Sequence, residues 1–167
     1  MKLNIVTYPN KILRTKLKKV VNFNDPQLNR ITRKMKKNMI KYDGIGLAAN
    51  QVGLNISLVV VNTEKGPQSF FNPQIKNKSL LKQKFDEGCL SFPGITGFVT
   101  RSKKISLEYQ DENGNKNILE AKNLMATVFQ HEVDHINGVI FTDRIKKFTA
   151  GEEKFKNLKK QAPADEK

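Results

Sequence analysis

The sequence predicts an α+β fold, and three observations carry that reading. Leu28, Ile31, Met35, Met39 and Tyr42 recur at helical spacing with Lys and Arg filling the other face. The middle of the chain is strand-like, beginning with the β-branched run ISLVVVN at 56–62. A second helical stretch, LMATVFQHEVDHIN, comes after the strands, without the strand–helix–strand alternation of parallel sheets.

The elements follow in order. Asn24-Asp25-Pro26 opens the first helix, a capping side chain followed by proline in the first turn, and Gly44 stops it. After ISLVVVN, residues 69–86 and 103–110 read as further strands. Asp111-Glu112-Asn113-Gly114 is a hairpin turn, because Asn-Gly accepts positive φ, and NKNILEA returns as the partner strand. Asn123 caps the next helix and Gly138 ends it. A last amphipathic helix over about 149–160 sets Phe155 and Leu158 against many lysines. Residues 1–160 fit one domain, and the closing QAPADEK, 161–167, reads as a frayed tail.

Composition narrows the function classes. Hydrophobic residues make up 38% and charged residues 28%, a globular balance. The single cysteine, Cys89, excludes an internal disulfide and suits a reducing compartment. The start, MKLNIVTYPNKILR, holds no signal-peptide core, and the longest apolar run, Leu58 to Val61, is far too short to span a bilayer. These features predict a cytoplasmic protein without a membrane partner. The net charge of +14 permits an RNA partner. No interleaved aromatic and basic motif or Cys/His finger spacing points to sequence-specific nucleic-acid recognition.

The chemistry concentrates in HEVDH, 131–135. His131 and His135 are four apart on an expected helix, so both imidazoles leave nearly the same face. Leu124 and Val128 continue that stripe. Glu132 lies beside it, placed to take a proton from an attacking water rather than to ligate. A catalytic metal needs a third protein ligand. The zinc-protease extension H-E-x-x-H-x-x-G-x-x-H fails here, because Phe141 stands where the third histidine belongs. Glu152 and Glu153, the acidic alternatives downstream, read as solvated charge among lysines. Cys89, in EGCLSFPG, is by itself most simply a small buried hydrophobe. Together with the only two histidines it completes a Cys-His-His set with a fourth position left open.

A third segment, GIGLAANQVG at 44–53, is not a phosphate loop, since it lacks a third glycine and a following Lys-Ser/Thr. Its small residues let backbone pass close to another group. Gln51 closes it with an amide suited to an anionic oxygen.

GIGLAANQ (44–51), EGCLS (87–91) and HEVDH (131–135), in this order, resemble the three signature segments of peptide deformylases. The resemblance covers most of the chain. It implies an HExDH-bearing central helix surrounded by antiparallel sheets, with a C-terminal helix. It implies hydrolysis of the formyl group from N-formyl-methionyl nascent chains, releasing formate, with transient ribosome association. Cys89, His131 and His135 would hold a divalent metal, Fe²⁺ or Zn²⁺, with Ni²⁺ or Co²⁺ also compatible with the donors. Glu132 would act as base and then as acid toward the leaving amine. Gln51 and the backbone N–H of Leu90 would stabilise the oxyanion. The Gly46 backbone would pair with the substrate, and Ile45, Leu124 and Val128 would line the methionine pocket. Glu87 would belong to the same substrate-binding group and pair with Arg101. Asn50 and Asp134 are assigned to structure. Two positions depart from the family pattern: Thr96 where a basic residue is common, and Thr127 where a larger apolar residue is common, which predicts a more open pocket. Two rival readings remain, a zinc endopeptidase and a basic RNA-binding protein with a structural metal.

Overall fold

The computed structural model describes residues 3–162. Its elements are α1 (Pro26–Lys41), β1 (Gly46–Ala48), β2 (Leu58–Thr63), β3 (Gly66–Lys78), β4 (Lys82–Gly88), β5 (Thr96–Ser102), β6 (Lys104–Gln110), β7 (Lys116–Lys122), α2 (Asn123–Ile136), β8 (Lys147–Ala150) and α3 (Glu152–Gln161). Two antiparallel sheets form, one in the order β1-β2-β3-β6-β7 and one in the order β4-β5-β8. Helix α2 touches strands of both, so the expected α+β arrangement around a central helix is what the chain adopts.

The α2 sequence explains this placement. Ten of its fourteen residues are buried, Ala126 to Val133 without interruption. A helix that is hidden nearly all round has to lie between layers rather than on one. Its Phe129 meets Phe70 of β3 edge-on at 4.9 Å, and Phe70 meets Tyr109 of β6 at 4.8 Å. A second apolar cluster, with Leu13, Phe92, Ile95, Val99 and Phe141, lies under the smaller sheet. Phe92 and Ile95 from that cluster anchor the loop that carries Cys89.

Several expectations need correction. The run 69–86 is two strands in two sheets, not one strand. The chain turns at Ser79–Leu81, where Ser79 N donates to Lys104 O and Lys103 N donates to Leu81 O. Lys103 is itself the step from β5 to β6, so the two direct strand-to-strand crossovers between the sheets are pinned at one corner, and the third runs through α2. Asn123 does not cap α2. It is the first helical residue, with φ at 52°, and no side chain caps that end. Helix α1 opens as expected, with Asp25 accepting from Gln27 N ahead of Pro26, but Asp43 rather than Gly44 supplies the left-handed residue that ends it. In the hairpin turn only Gly114 takes positive φ, while Asp111 accepts from Asn113 N and Asn115 N. Helix α3 starts at Glu152, because residues 147–150 pair with β5. Of the expected tail, Gln161 closes α3 and Ala162 is buried, while 163–167 lie outside the described residues. No helix among the described residues is long and apolar enough to cross a membrane.

Candidate active site

Three segments converge beside α2. Strand β4 delivers Cys89 just past its end, β1 delivers Gly46 at its start and Gln51 in the short 3-10 turn that follows, and α2 delivers His131, Glu132 and His135. One ligand atom from each of Cys89, His131 and His135 lies within 4.8 Å of the others. Cys89 Sγ is 3.3 Å from His135 Nε2. A tetrahedral ion with ordinary zinc–sulfur and zinc–nitrogen bonds would hold such a pair roughly 3.6 Å apart, so the donor set fits a first-row divalent metal. The expected third histidine position, Phe141, is a buried aromatic ring 5.9 Å from that of His131. Glu152 and Glu153 are exposed and ion-paired with Lys156.

The three donor side chains have ordered support. His131 Nδ1 lies 3.0 Å from Glu87 Oε2, which fixes that ring and turns Nε2 toward Cys89 and His135. Arg101 grips Glu87 with two bonds, Nε to Oε1 at 2.7 Å and a terminal nitrogen to Oε2 at 2.9 Å. Its third arm reaches Asp134 Oδ2 at 2.5 Å, and Arg144 closes the far side of Asp134. Burial alone would push Glu87 up, but Arg101 and His131 more than reverse this and hold it at about 2. His135 is pushed down by burial and by its neighbour His131. Asn50 donates to the carbonyl of His135 at 2.9 Å, and so steadies the helix without entering the cavity.

Glu132 is placed differently. It is 4% exposed, and burial raises its carboxyl to about 7. Such a group changes protonation near neutrality, as a residue that first takes and then gives a proton must. Its Oε2 has no hydrogen-bond partner among the described residues. Gly46 is what makes room for it, since a Cβ there would sit 2.4 Å from Glu132 Oε1. Gln51 is oriented with equal definition. Its Oε1 accepts from Ala48 N at 2.8 Å, which turns its NH₂ toward Cys89 Sγ at 3.3 Å. The amide therefore presents donors, not an acceptor, to the thiol.

A cavity of about 430 Å³ opens over these groups. All the residues expected at the site border it except His135, which lies 1% exposed behind Cys89. Leu90 and Gly46 are half-buried at its wall, Val128 is buried, and Ile45 and Leu124 are exposed on its rim. Glu87 touches the cavity, but its carboxylate is committed to Arg101 and His131. Thr127 lines the cavity, and its hydroxyl accepts from Gln83 Nε2 at 3.0 Å. Thr96 lines it too, with its hydroxyl 2.7 Å from that of Thr149, which donates to Asp86. Sequence reasoning missed Phe85, which forms part of the wall, and Gln83, which leans on Thr127. The signal was present: Gln83, Phe85 and Glu87 alternate with exposed Lys82, Lys84 and Asp86 at strand period.

Comparison with known proteins agrees with this geometry. The family described as Polypeptide deformylase matches residues 2–150. The peptide deformylase of Helicobacter pylori strain P12 is 42% identical over 173 aligned positions, covering 95% of this chain and 96% of that protein. Peptide deformylase 1 of Bacillus anthracis is 40% identical, covering 87% and 94%. Among solved structures, the peptide deformylase of Thermotoga maritima superposes with a TM-score of 0.84 at 38% identity, covering 87% of this chain and 99% of that one. That of Synechococcus elongatus in complex with actinonin gives 0.85 at 36% identity, covering 98% and 88%.

Proposed function

Because the chain belongs to the peptide deformylase family, we propose that it hydrolyses the formyl group from the N-terminal formyl-methionine of new polypeptides and releases formate. The observation that carries this reading is the clustering, at the wall of one cavity and directly behind it, of a metal-competent Cys89/His131/His135 group, a buried Glu132 and an oriented Gln51. A divalent metal held by those three side chains supplies Lewis-acid activation of the water and the formyl carbonyl. Fe²⁺ and Zn²⁺ both suit one thiolate and two imidazoles, and Ni²⁺ and Co²⁺ are compatible.

The chain's own residues then divide the work. Glu132, unpaired at Oε2, accepts the proton of the attacking water as oxygen bonds to the formyl carbon. It returns that proton to the methionyl nitrogen as the carbon–nitrogen bond breaks, leaving formate and a free amine. Gln51 Nε2 and the Leu90 N–H donate to the oxyanion that forms between these steps. Ile45, Leu124 and Val128 hold the methionine side chain, and the Gly46 backbone pairs with the extended peptide. Glu87 acts at one remove, by fixing the ring of His131. Residues 1–160 serve as one catalytic unit in the cytoplasm, and the basic α3 supports transient contact with the ribosome.

Formate release from formyl-Met-Ala-Ser, measured with metal content on the same anaerobic sample, tests the reading. Turnover abolished by a chelator and restored by one added metal is the expected result. A metal-loaded sample that releases no formate overturns it. Cleavage of unformylated internal peptide bonds instead favours the endopeptidase.

A further inference from the structure

A second cavity is larger than the one described above. It holds about 670 Å³ and lies on another side of α2, against Gln130, Val133, Asp134 and Asn137. Its walls come from the segment after the first turn, from β3, and from β4 and β5, so it runs along the seam between the two sheets.

Its charge is one-sided. Lys16, Lys19, Lys78, Lys82, Arg101 and Arg144 border it, and among the described residues Asp134 is the only acid that does. Asp134 is already bound by both arginines. Lys82 donates to Ser102 Oγ at 2.8 Å. Lys16, Lys19 and Lys78 are exposed and have no carboxylate partner among the described residues. The remaining lysines, whose one neighbouring acid is already neutralised by arginine, repel one another and draw a multiply charged anion.

The lining also identifies the class of that anion. Among the described residues no aromatic ring borders the groove, so it offers a base no aromatic surface to stack on. An isolated small anion gains little from exposed lysines. A chain of phosphates gains at each one, by releasing counterions. We propose that this groove binds the phosphodiester backbone of RNA, without regard to sequence. The inference is independent of the deformylase reading, because none of Lys16, Lys19 and Lys78 borders the catalytic cavity.

The test is binding of a fluorescein-labelled 20-nucleotide oligo-uridine to the metal-loaded full chain across a salt series. One variant combines Lys16→Glu, Lys19→Glu and Lys78→Glu. A control reverses three exposed cations on α1, Arg30, Lys37 and Lys41. Each lost phosphate contact removes about 0.7 from the slope of log affinity against log salt. The groove variant should bind at least roughly tenfold more weakly at low salt, with a slope shallower by about 2. The control should keep most of both. Equal losses in the two variants would assign the binding to diffuse net charge and overturn the proposal. So would an unchanged groove variant, or a groove that takes up anionic phosphatidylserine vesicles but not RNA. If the glutamate variant misfolds, the three lysine-to-glutamine changes replace it and are read by the same slope. Formate release is measured on every sample, so RNA binding without turnover sinks only the deformylase reading, and turnover without groove binding sinks only this one.

Discussion

Replacing Gly46 by alanine adds one methyl group at the point where β1 passes Glu132. The added Cβ would lie 2.4 Å from Glu132 Oε1 and 2.8 Å from its Cδ and Cγ. Ordinary contact begins about 1 Å further out, so one partner must retreat by that amount. Gly46 cannot readily retreat, because it is paired to Val61 inside the larger sheet. Glu132 is the softer partner, and it is the proposed base. A misplacement of that size at the reacting centre costs on the order of a hundredfold in rate. The backbone N–H at position 46 survives, so the loss should fall on kcat and spare KM. Overpacking should also cost about 1–3 kcal/mol of stability, at roughly 2–4 °C of Tm for each. The assay is kcat and KM for formyl-Met-Ala-Ser, with metal content and Tm on the same preparation. Wild-type kcat in a variant with full metal content would refute both the steric argument and the placement of Glu132 at the chemistry.

Four further outcomes are expected. Glu132→Gln should keep its metal and lose at least about 10²-fold in kcat, because the ligands survive and the proton acceptor does not; retained turnover would remove Glu132 from that role. Cys89→Ser should lower metal content or change which metal supports turnover, and an unchanged metal content and rate would take the thiol out of the site. Arg101→Met should destabilise by about 3–5 kcal/mol in urea unfolding, since it strands the buried Glu87 carboxylate; a loss under 1 kcal/mol would show that the grip on Glu87 contributes little. Glu87 falls from 4.5 to about 2 on folding, so its stabilisation is fully present above pH 4.5 and lost as pH falls through 2. That shift corresponds to about 3 kcal/mol, and unfolding of Glu87→Gln should lack this part of the acid dependence; the same pH slope in both proteins would count against it.

Much of the site was legible because its residues carry their spacing with them. His131 and His135 are brought together by the helix itself, and a run that buries ten of fourteen residues leaves that helix little choice but the centre. Cys89 was legible only as the partner of that pair, since nothing in its own neighbourhood distinguishes a ligand from a packed thiol. Gln83 and Phe85 were missed because 69–86 reads as one β-rich run. The break between β3 and β4 depends on Ser79 and Leu81 meeting a segment more than twenty residues away. Asn123 was misread for a related reason. Capping residues are judged by type, but here its N–H is held by Lys103 O and its backbone is left-handed, so its side chain is not the cap. The hydrogen bond that Gln83 of β4 donates to Thr127 was out of reach of a local reading for the same reason.

Asn50 carries a consequence beyond steadying α2. Its amide nitrogen reaches the carbonyls of both Leu13 and His135, and the next residue in the chain is Gln51. The backbone that carries Gln51 is thus tied through its neighbour to the backbone of α2 at His135 by one hydrogen bond. One side chain thereby fastens the 3-10 turn both to the end of α2 and to the segment at Leu13, so two walls of the cavity share a joint instead of being anchored separately.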